Sequence, residues 1–376
     1  MGRSRSKKII KIHLKKTIKE KIKLKTMNIT YYVQRYRPQY EAISKEVELL
    51  ATYFATQQNT TTHIHDLHLD GLKNIKKTLS HTSFHFAYYP LLFPTTILKS
   101  KKSNINHIYT SLGDLPYLPL LSTLNKKNTI LTAAASCNKK KIKARLPYLK
   151  KIQKIIVETK YHQQLLLTLG LPPENIKLIY PPVDLTAFTY QTPPKQQPFT
   201  ILYASCPTRK EDFEKRGVYL LIETAKQLPN TQFILLWRHS AHQDIINLLK
   251  KENIQNITVT NEIIQNMNNY YAKAHCTIIP YTIQDDFLKL IPNSAIESLA
   301  AGKPILTSTK TEISEIITAE HSGISFEPTT QSLIKSIQEL QQKYTLYQKK
   351  CTSIAQKYFD QKKYIEEYTK IYQEIS

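Results

Sequence analysis

Glycine is scarce in this chain, with 7 residues among 376, beside 4 cysteines and a single tryptophan. So few glycines exclude collagen-like and glycine-rich architectures. They also leave no G-x-G-x-x-G after a strand and no G-x-x-x-x-G-K-S, so the dinucleotide and P-loop phosphate cradles lose their physical basis. Cys137, Cys206, Cys276 and Cys351 stand at no metal or redox spacing, which reads as free thiols in a reducing cytoplasm. Acid is short as well. Lys and Arg number 53 against 29 Asp and Glu, a net charge of +24, and such an excess draws anionic substrates or surfaces. No apolar run reaches the ~20 residues of a membrane-spanning helix, so the expectation is a soluble or peripheral protein. With 41% hydrophobic residues the composition is that of a globular protein, and the length fits two or three domains.

What is present is a repeated alternation. From Phe199 onward short apolar runs (FTILYAS, FILLW, NITVT, CTIIPY) are separated by amphipathic stretches such as RGVYLLIETAKQL and MNNYYAKAH. Such βα repetition predicts a parallel sheet with helices on both faces and a ligand at the carboxyl ends of the strands. The densest signal is KLIPNSAIESLAAGKPILTS, from Lys289 to Ser308. Pro292, Asn293 and Ser294 read as a helix start whose free N–H groups and positive dipole end suit an anion. Glu297 lies one turn in, and Gly302 with Pro304 stops the helix before a strand over Ile305 to Ser308. A second reading stays open, in which Ser294-Ala-Ile-Glu297 is a capping box and Glu297 serves only the helix's own start. In a chain this poor in glycine, Gly217 and Gly302 fit close backbone approach, or else ordinary helix ends.

The succession of strand, basic loop ending in Arg216-Gly217, helix, strand, helix, strand, Tyr270-Tyr271-Ala272, strand and PNSAIESLAAGKP resembles the C-terminal domain of the family 4 (group 1) glycosyltransferases over roughly Phe199 to Pro328. IKLIYPPVDLTAF from Ile176 is similar to the segment that closes their first domain. The resemblance implies a GT-B fold: two Rossmann-like parallel-sheet domains facing a central cleft, with C-terminal helices returning toward the N-terminal domain. It implies transfer of a sugar from a nucleotide-diphosphate donor with retention, no cofactor and no metal. Arg216, where the family usually has Lys before Gly, and Glu297, the second glutamate of the family's Glu-x7-Glu pattern, are then the catalytic residues. Arg216 faces the diphosphate and Glu297 the donor ribose. Arg209, Lys215, Gly217, Asn293 and Ser294 complete the phosphate side, with Lys210 or Lys215 able to substitute for Arg209 in a loop longer than usual. Thr260 and Glu262 lie near the nucleobase. Arg238 ends a strand where cleft contact and a surface ion pair are both open. The pattern's first glutamate is replaced by Lys289, which alters the sugar contact.

The expected organisation is a basic arm at 1–26, an N-terminal Rossmann-like acceptor domain at 27–188, a Pro-rich linker at 189–198, a nucleotide-sugar domain at 199–350 and a helix crossing back at 351–376. The arm carries eleven basic residues and one acid, with Ile10, Leu14, Ile18 and Ile22 at helical spacing. Either it lies on anionic lipid or Met27 is the natural start. After a first strand over Asn28 to Val33 the loop RYRPQY offers Arg35 and Arg37 to an acceptor in place of the family's glycines. A helix follows on Ile43, Val47, Leu50 and Phe54. Further strands are expected at Phe84–Tyr89, Asn106–Thr110, Thr129–Ala134 and Ile155–Thr159, and a helix over Tyr161–Leu169 that stops at Gly170. His63, His65, Asp66 and His68 in THIHDLH read as a strand with exposed imidazoles, with a metal site the lesser alternative. Asp285 and Asp286 read as a solvated loop. The 24 tyrosines are dispersed and do not gather beside one basic element, so nucleic acid is not the expected partner. The partners expected are a nucleotide-diphosphate sugar, a glycan or lipid-linked acceptor, and an anionic membrane surface at the cytoplasmic face. The contrasting hypothesis is an inactive GT-B protein that binds nucleic acid or membrane through its charge. A nonhydrolysing sugar-nucleotide epimerase shares the two-sheet layout.

Overall fold

Runs that are apolar on both sides, such as Ile29 to Val33 and Thr200 to Tyr203, can leave neither face to water. Both are buried in parallel sheets flanked by helices. The computed structural model describes residues 26–33, 42–66, 79–82, 89–112, 128–135, 139–192, 198–204, 206–237, 240–262, 264–284 and 290–376. The arm to residue 25, Arg35, Arg37, His68, Arg238, the Asp285-Asp286 pair and Lys289 lie outside the described residues.

In chain order the first sheet and its helices are β1 (Met27–Val33), α1 (Ala42–Ala55), β2 (Thr60–Asp66), β3 (Ser80–Thr82), α2 (Tyr89–Lys102), β4 (Ile105–Ser111), β5 (Thr129–Ala135), α3 (Lys139–Leu149), β6 (Lys154–Val157), α4 (Lys160–Thr168) and β7 (Ile176–Leu178). The second set runs β8 (Thr200–Tyr203), α5 (Val218–Gln227), β9 (Gln232–Trp237), α6 (His242–Lys251), β10 (Ile257–Asn261), α7 (Asn268–Lys273), β11 (Cys276–Ile279), α8 (Asn293–Ala300), β12 (Ile305–Ser308), α9 (Ile313–Ala319) and β13 (Gly323–Phe326). Helices α10 (Thr330–Gln342), α11 (Tyr344–Gln348), α12 (Cys351–Tyr358) and α13 (Gln361–Ile375) finish the chain. The first sheet has the order β3-β2-β1-β4-β5-β6-β7 and the second β10-β9-β8-β11-β12-β13. In the second sheet every pairing is parallel, and in the first β1 pairs in parallel with β2 and β4. Each order is doubly wound, reversing direction beside β1 and beside β8. These are the Rossmann-like sheets of a GT-B fold.

Two compact units emerge from the chain's own contacts: Met1–Tyr109 with Tyr117–Ile130 and Ile371–Ser376, and Thr110–Pro116 with Leu131–Lys370. In the first, α1 buries Val47, Leu50, Ala51 and Phe54. There His107 Nδ1 lies 2.6 Å from the Tyr372 hydroxyl, which donates to Tyr31 Oη at 3.3 Å. In the second, one cluster gathers Tyr203, Phe213, Val218, Phe233 and Trp237 around β8 and β9, and another gathers Ile279, Ile291, Ile296, Ile305 and Ile354 around β11 and β12. Tyr368 of α13 reaches Thr132 of β5, Oη to Oγ1 at 2.8 Å.

Three local expectations change. Tyr89 opens α2 instead of ending a strand, and residues 83–88 lie outside the described residues. His65 is not an exposed imidazole. A parallel strand is covered on both faces near its carboxyl end, so His65 is buried with Nε2 2.9 Å from Thr96 Oγ1. Burial, with the charges of His63 and Lys99, pushes its pKa down to about 3. Among the described residues no group of His, Cys, Asp and Glu is placed to hold a metal ion. The helix start at Asn293 also differs from a capping box, as described below. No helix of the described residues is long and apolar enough to cross a membrane.

Candidate active site

In a doubly wound sheet the loops leaving the two central strands turn to opposite faces and open a crevice at the switch point. In the second sheet those strands are β8 and β11. Their loops, 204–217 and 280–292, include the basic segment and the start of α8. Gly217 locks the two together. Its φ is +75°, and a Cβ there would lie 1.8 Å from the Pro280 carbonyl oxygen. Thr282 N–H donates to the Lys215 carbonyl at 3.1 Å, and Thr282 Oγ1–H to that of Glu214 at 2.8 Å. Tyr203, fully buried in β8, donates its hydroxyl to the Arg216 carbonyl at 2.9 Å. Phe213 anchors the middle of the loop, its ring 5.5 Å from that of Trp237.

This anchoring fixes where the cations stand. Arg216 donates from Nη1 to the Tyr281 hydroxyl at 2.7 Å, and its guanidinium lies 5.1 Å from the centre of that ring. Asp212 collects Arg209 and Lys215. Arg209 Nε and Nη2 donate to its oxygens at 3.2 and 3.4 Å, and Lys215 Nζ approaches Oδ1 at 2.9 Å. Lys210 points elsewhere, toward Asp244 at 4.0 Å, so of the two lysines named as substitutes for Arg209 only Lys215 stands beside it on the Asp212 carboxylate.

Helix α8 begins at Asn293 with Pro292 as its N-cap and no side-chain cap bond. Ser294 is therefore the second helical residue, and the capping-box frame that needs it outside the helix is not adopted. Proline's fixed φ supplies the entry geometry instead. Asn293 Oδ1 is buried without a hydrogen-bond partner, an acceptor that a donor hydroxyl would satisfy. Glu297 is buried, and its Oε2 accepts from the Tyr271 hydroxyl at 3.2 Å. The same hydroxyl lies 3.3 Å from the Ser294 carbonyl. Burial, aided by Glu297, holds Tyr271 well above the usual tyrosine range, so it remains a neutral donor. Tyr271 thus aims the Glu297 carboxylate, a role that the sequence YYAKAH does not disclose.

The two substitutions at this pair have separable outcomes. Glu297→Gln offers one acceptor oxygen where the carboxylate offers two, so nucleotide affinity falls at least about tenfold while the protein alone keeps its melting temperature. Tyr271→Phe removes only the aiming hydroxyl and lowers affinity less, by about 1 kcal/mol. Titration calorimetry with the nucleotide that binds wild type checks both; full retention by Glu297→Gln returns Glu297 to a structural role.

Thr260 lies in β10 and Glu262 just after it, on an edge strand separated from β8 by β9. Glu262 Oε1 accepts from the Tyr270 hydroxyl at 2.9 Å, one residue before Tyr271. The structure therefore brings Arg209, Lys215, Arg216 and Gly217 into one loop, and Asn293, Ser294 and Glu297 onto one helix start. Asp212, Tyr271 and Tyr281 join them unforeseen. One acid among the three of that loop, Glu211, Asp212 and Glu214, and tyrosines flanking the strands are weak signals in a chain so rich in tyrosine.

Residues 201–343 match the family model described as glycosyl transferases group 1, so the chain resembles the group 1 glycosyltransferases over that segment. No curated protein matches the chain. Among solved structures, Alr3699/HepE from Anabaena, in complex with UDP and glucose, is 14% identical with a TM-score of 0.72, over 92% of this chain and 99% of that one. A glycosyltransferase from Rickettsia africae is 17% identical with a TM-score of 0.74, over 93% and 98%. The sucrose-phosphate synthase of Thermosynechococcus elongatus is 14% identical with a TM-score of 0.70, over 93% and 98%. At these identities the likeness is one of fold.

Proposed function

We propose that this protein is a glycosyltransferase that moves a sugar from a nucleoside diphosphate to a glycan or lipid-linked acceptor, with retention and without a metal. The observation that carries this reading is the convergence at one switch point of the Gly217-locked cationic loop and the helix bearing Glu297. Negative charge develops on the leaving diphosphate as the glycosidic bond breaks. A cation held in place and N–H dipoles at a helix start stabilise that charge with little reorganisation. Arg216 is the residue placed to do so, while Glu297 accepts from the ribose hydroxyls. Retention, an acceptor in cell-surface polysaccharide or glycolipid synthesis, and work at the cytoplasmic membrane face extend the resemblance to the group 1 enzymes.

The Anabaena neighbour was solved with UDP, which makes UDP the first nucleotide to test. In a thermal-shift panel of UDP, GDP, ADP and CMP, one diphosphate will raise the melting temperature; at 100 times its Kd the stabilisation is about 2.7 kcal/mol. No shift with any of them, alongside a shift with single-stranded oligonucleotide, sinks the proposal in favour of nucleic-acid binding.

A further inference from the structure

We infer that Asp212 is a built-in competitor for the donor diphosphate, holding Arg209 and Lys215 so that a nucleotide must take them from it; the inference rests on the donor-site reading above. Each Asp212 oxygen serves the cations, Oδ1 taking Lys215 at 2.9 Å and Oδ2 taking Arg209 Nε at 3.2 Å. Of the loop's other two cations, Arg216 is held by the Tyr281 hydroxyl and Lys210 faces Asp244. The loop therefore presents one arginine on a hydroxyl and two cations already matched to the Asp212 carboxylate.

The anion is the fixed member of this group. Asp212 closes the short 3-10 turn Lys210–Asp212, its N–H donating to the Arg209 carbonyl at 3.2 Å and its carbonyl accepting from Arg216 N–H at 2.9 Å. The next residue, Phe213, is fully buried. Arg209, by contrast, has 69% of its side chain exposed and can swing. Burial pushes the Asp212 carboxyl up, but Lys215 and Arg209 outweigh it and hold it below its ordinary range. It is therefore ionised wherever the enzyme works. A diphosphate at this loop faces a fixed negative charge and gains only the difference between its own bonds to the cations and those of the carboxylate. Direct repulsion and competition for the cations act in the same direction, toward weaker binding and easier release of the nucleotide product. The paired cations also pre-position the loop, and that effect has the opposite sign. It is the smaller one, because the loop is already held without the carboxylate, by buried Phe213, the Gly217 contact with Pro280 and the Thr282 and Tyr203 bonds.

The test is titration calorimetry of the full chain with UDP, or with whichever diphosphate the panel selects, and with the matching uncharged nucleoside. Asp212→Asn keeps the shape and removes the charge. The diphosphate Kd should fall by about three- to tenfold at low salt, the gain should shrink toward molar salt, and nucleoside binding should not change. Asp212→Ser, a second neutral variant, should show the same gain if the asparagine protein folds poorly, and Asp212→Glu should bind as wild type does. Equal or weaker diphosphate binding by the neutral variants overturns the inference and leaves the donor reading intact. A gain shared by the nucleoside overturns it too, because charge competition cannot act on an uncharged ligand. Failure of wild type to bind any diphosphate removes both.

Discussion

Gly217→Ala will cost the protein both the proposed donor site and about 2–4 kcal/mol of stability. The left-handed backbone, φ +75°, costs a non-glycine residue about 1–2 kcal/mol. The larger part is steric. The new Cβ would stand 1.8 Å from the Pro280 carbonyl oxygen and 2.7 Å from its carbon, and no rotamer change relieves a clash with backbone. The loop must lift away from β11, taking with it the Thr282 bonds to Glu214 and Lys215 and the Tyr203 bond to Arg216. Because the cations ride on that loop, nucleotide-induced stabilisation should vanish. Gly170 is the internal control. It has nearly the same φ, +78°, but a methyl group added there would meet nothing within 4 Å, so Gly170→Ala should lose only the conformational term and bind nucleotide normally. Melting curves of both variants with and without UDP decide it; equal losses would mean that backbone strain alone is responsible.

The second large effect lies away from the donor loop. Lys303 follows Gly302 at the entry to β12, is fully buried, and its Nζ has no hydrogen-bond partner. Burial lowers its pKa to about 8, with the Cys276 and Cys351 thiols pulling the other way. In the unfolded chain the value is about 10.4. Below about pH 8 both states carry the proton, and the folded state bears the whole cost of the buried charge, about 3 kcal/mol. Between about pH 8 and 10.4 the unfolded chain binds more protons, so stability rises with pH through that window. Lys303→Met keeps the length of the side chain and discards the charge. It should stabilise the protein by about 2–3 kcal/mol at pH 7 and flatten the pH dependence between about 8 and 10. Urea unfolding at about pH 7, 8 and 9 checks this, and a variant less stable than wild type with an unchanged slope would falsify the account.

Most of the second sheet was legible because its strands are short, its central ones are apolar on both sides, and periodic helices separate them. FTILY, FILLW, NITVT and CTII sit in β8, β9, β10 and β11. In the first sheet Asn106–Thr110 and Thr129–Ala134 fall within β4 and β5 for the same reason. His65 misled because alternation between inside and outside holds only for a strand with one wet face. Ser294 misled because a serine three residues before a glutamate matches a capping box in any frame, and only the backbone shows that Pro292 ends the non-helical part.

By itself the sequence determined the βα succession, the excess of positive charge, the helix start near Asn293 and the loop that ends at Gly217. All of these depend on residues close together in the chain, through periodicity, backbone freedom and the absence of an N–H on proline. Only the tertiary structure decided which groups answer one another across the switch point: Pro280 against Gly217, Tyr281 on Arg216, and Tyr271 on Glu297. Those pairings follow from the order in which parallel strands are laid side by side. β8 and β11 are neighbours in space although 72 residues lie between Tyr203 and Cys276, and no local rule of sequence encodes a contact over that separation.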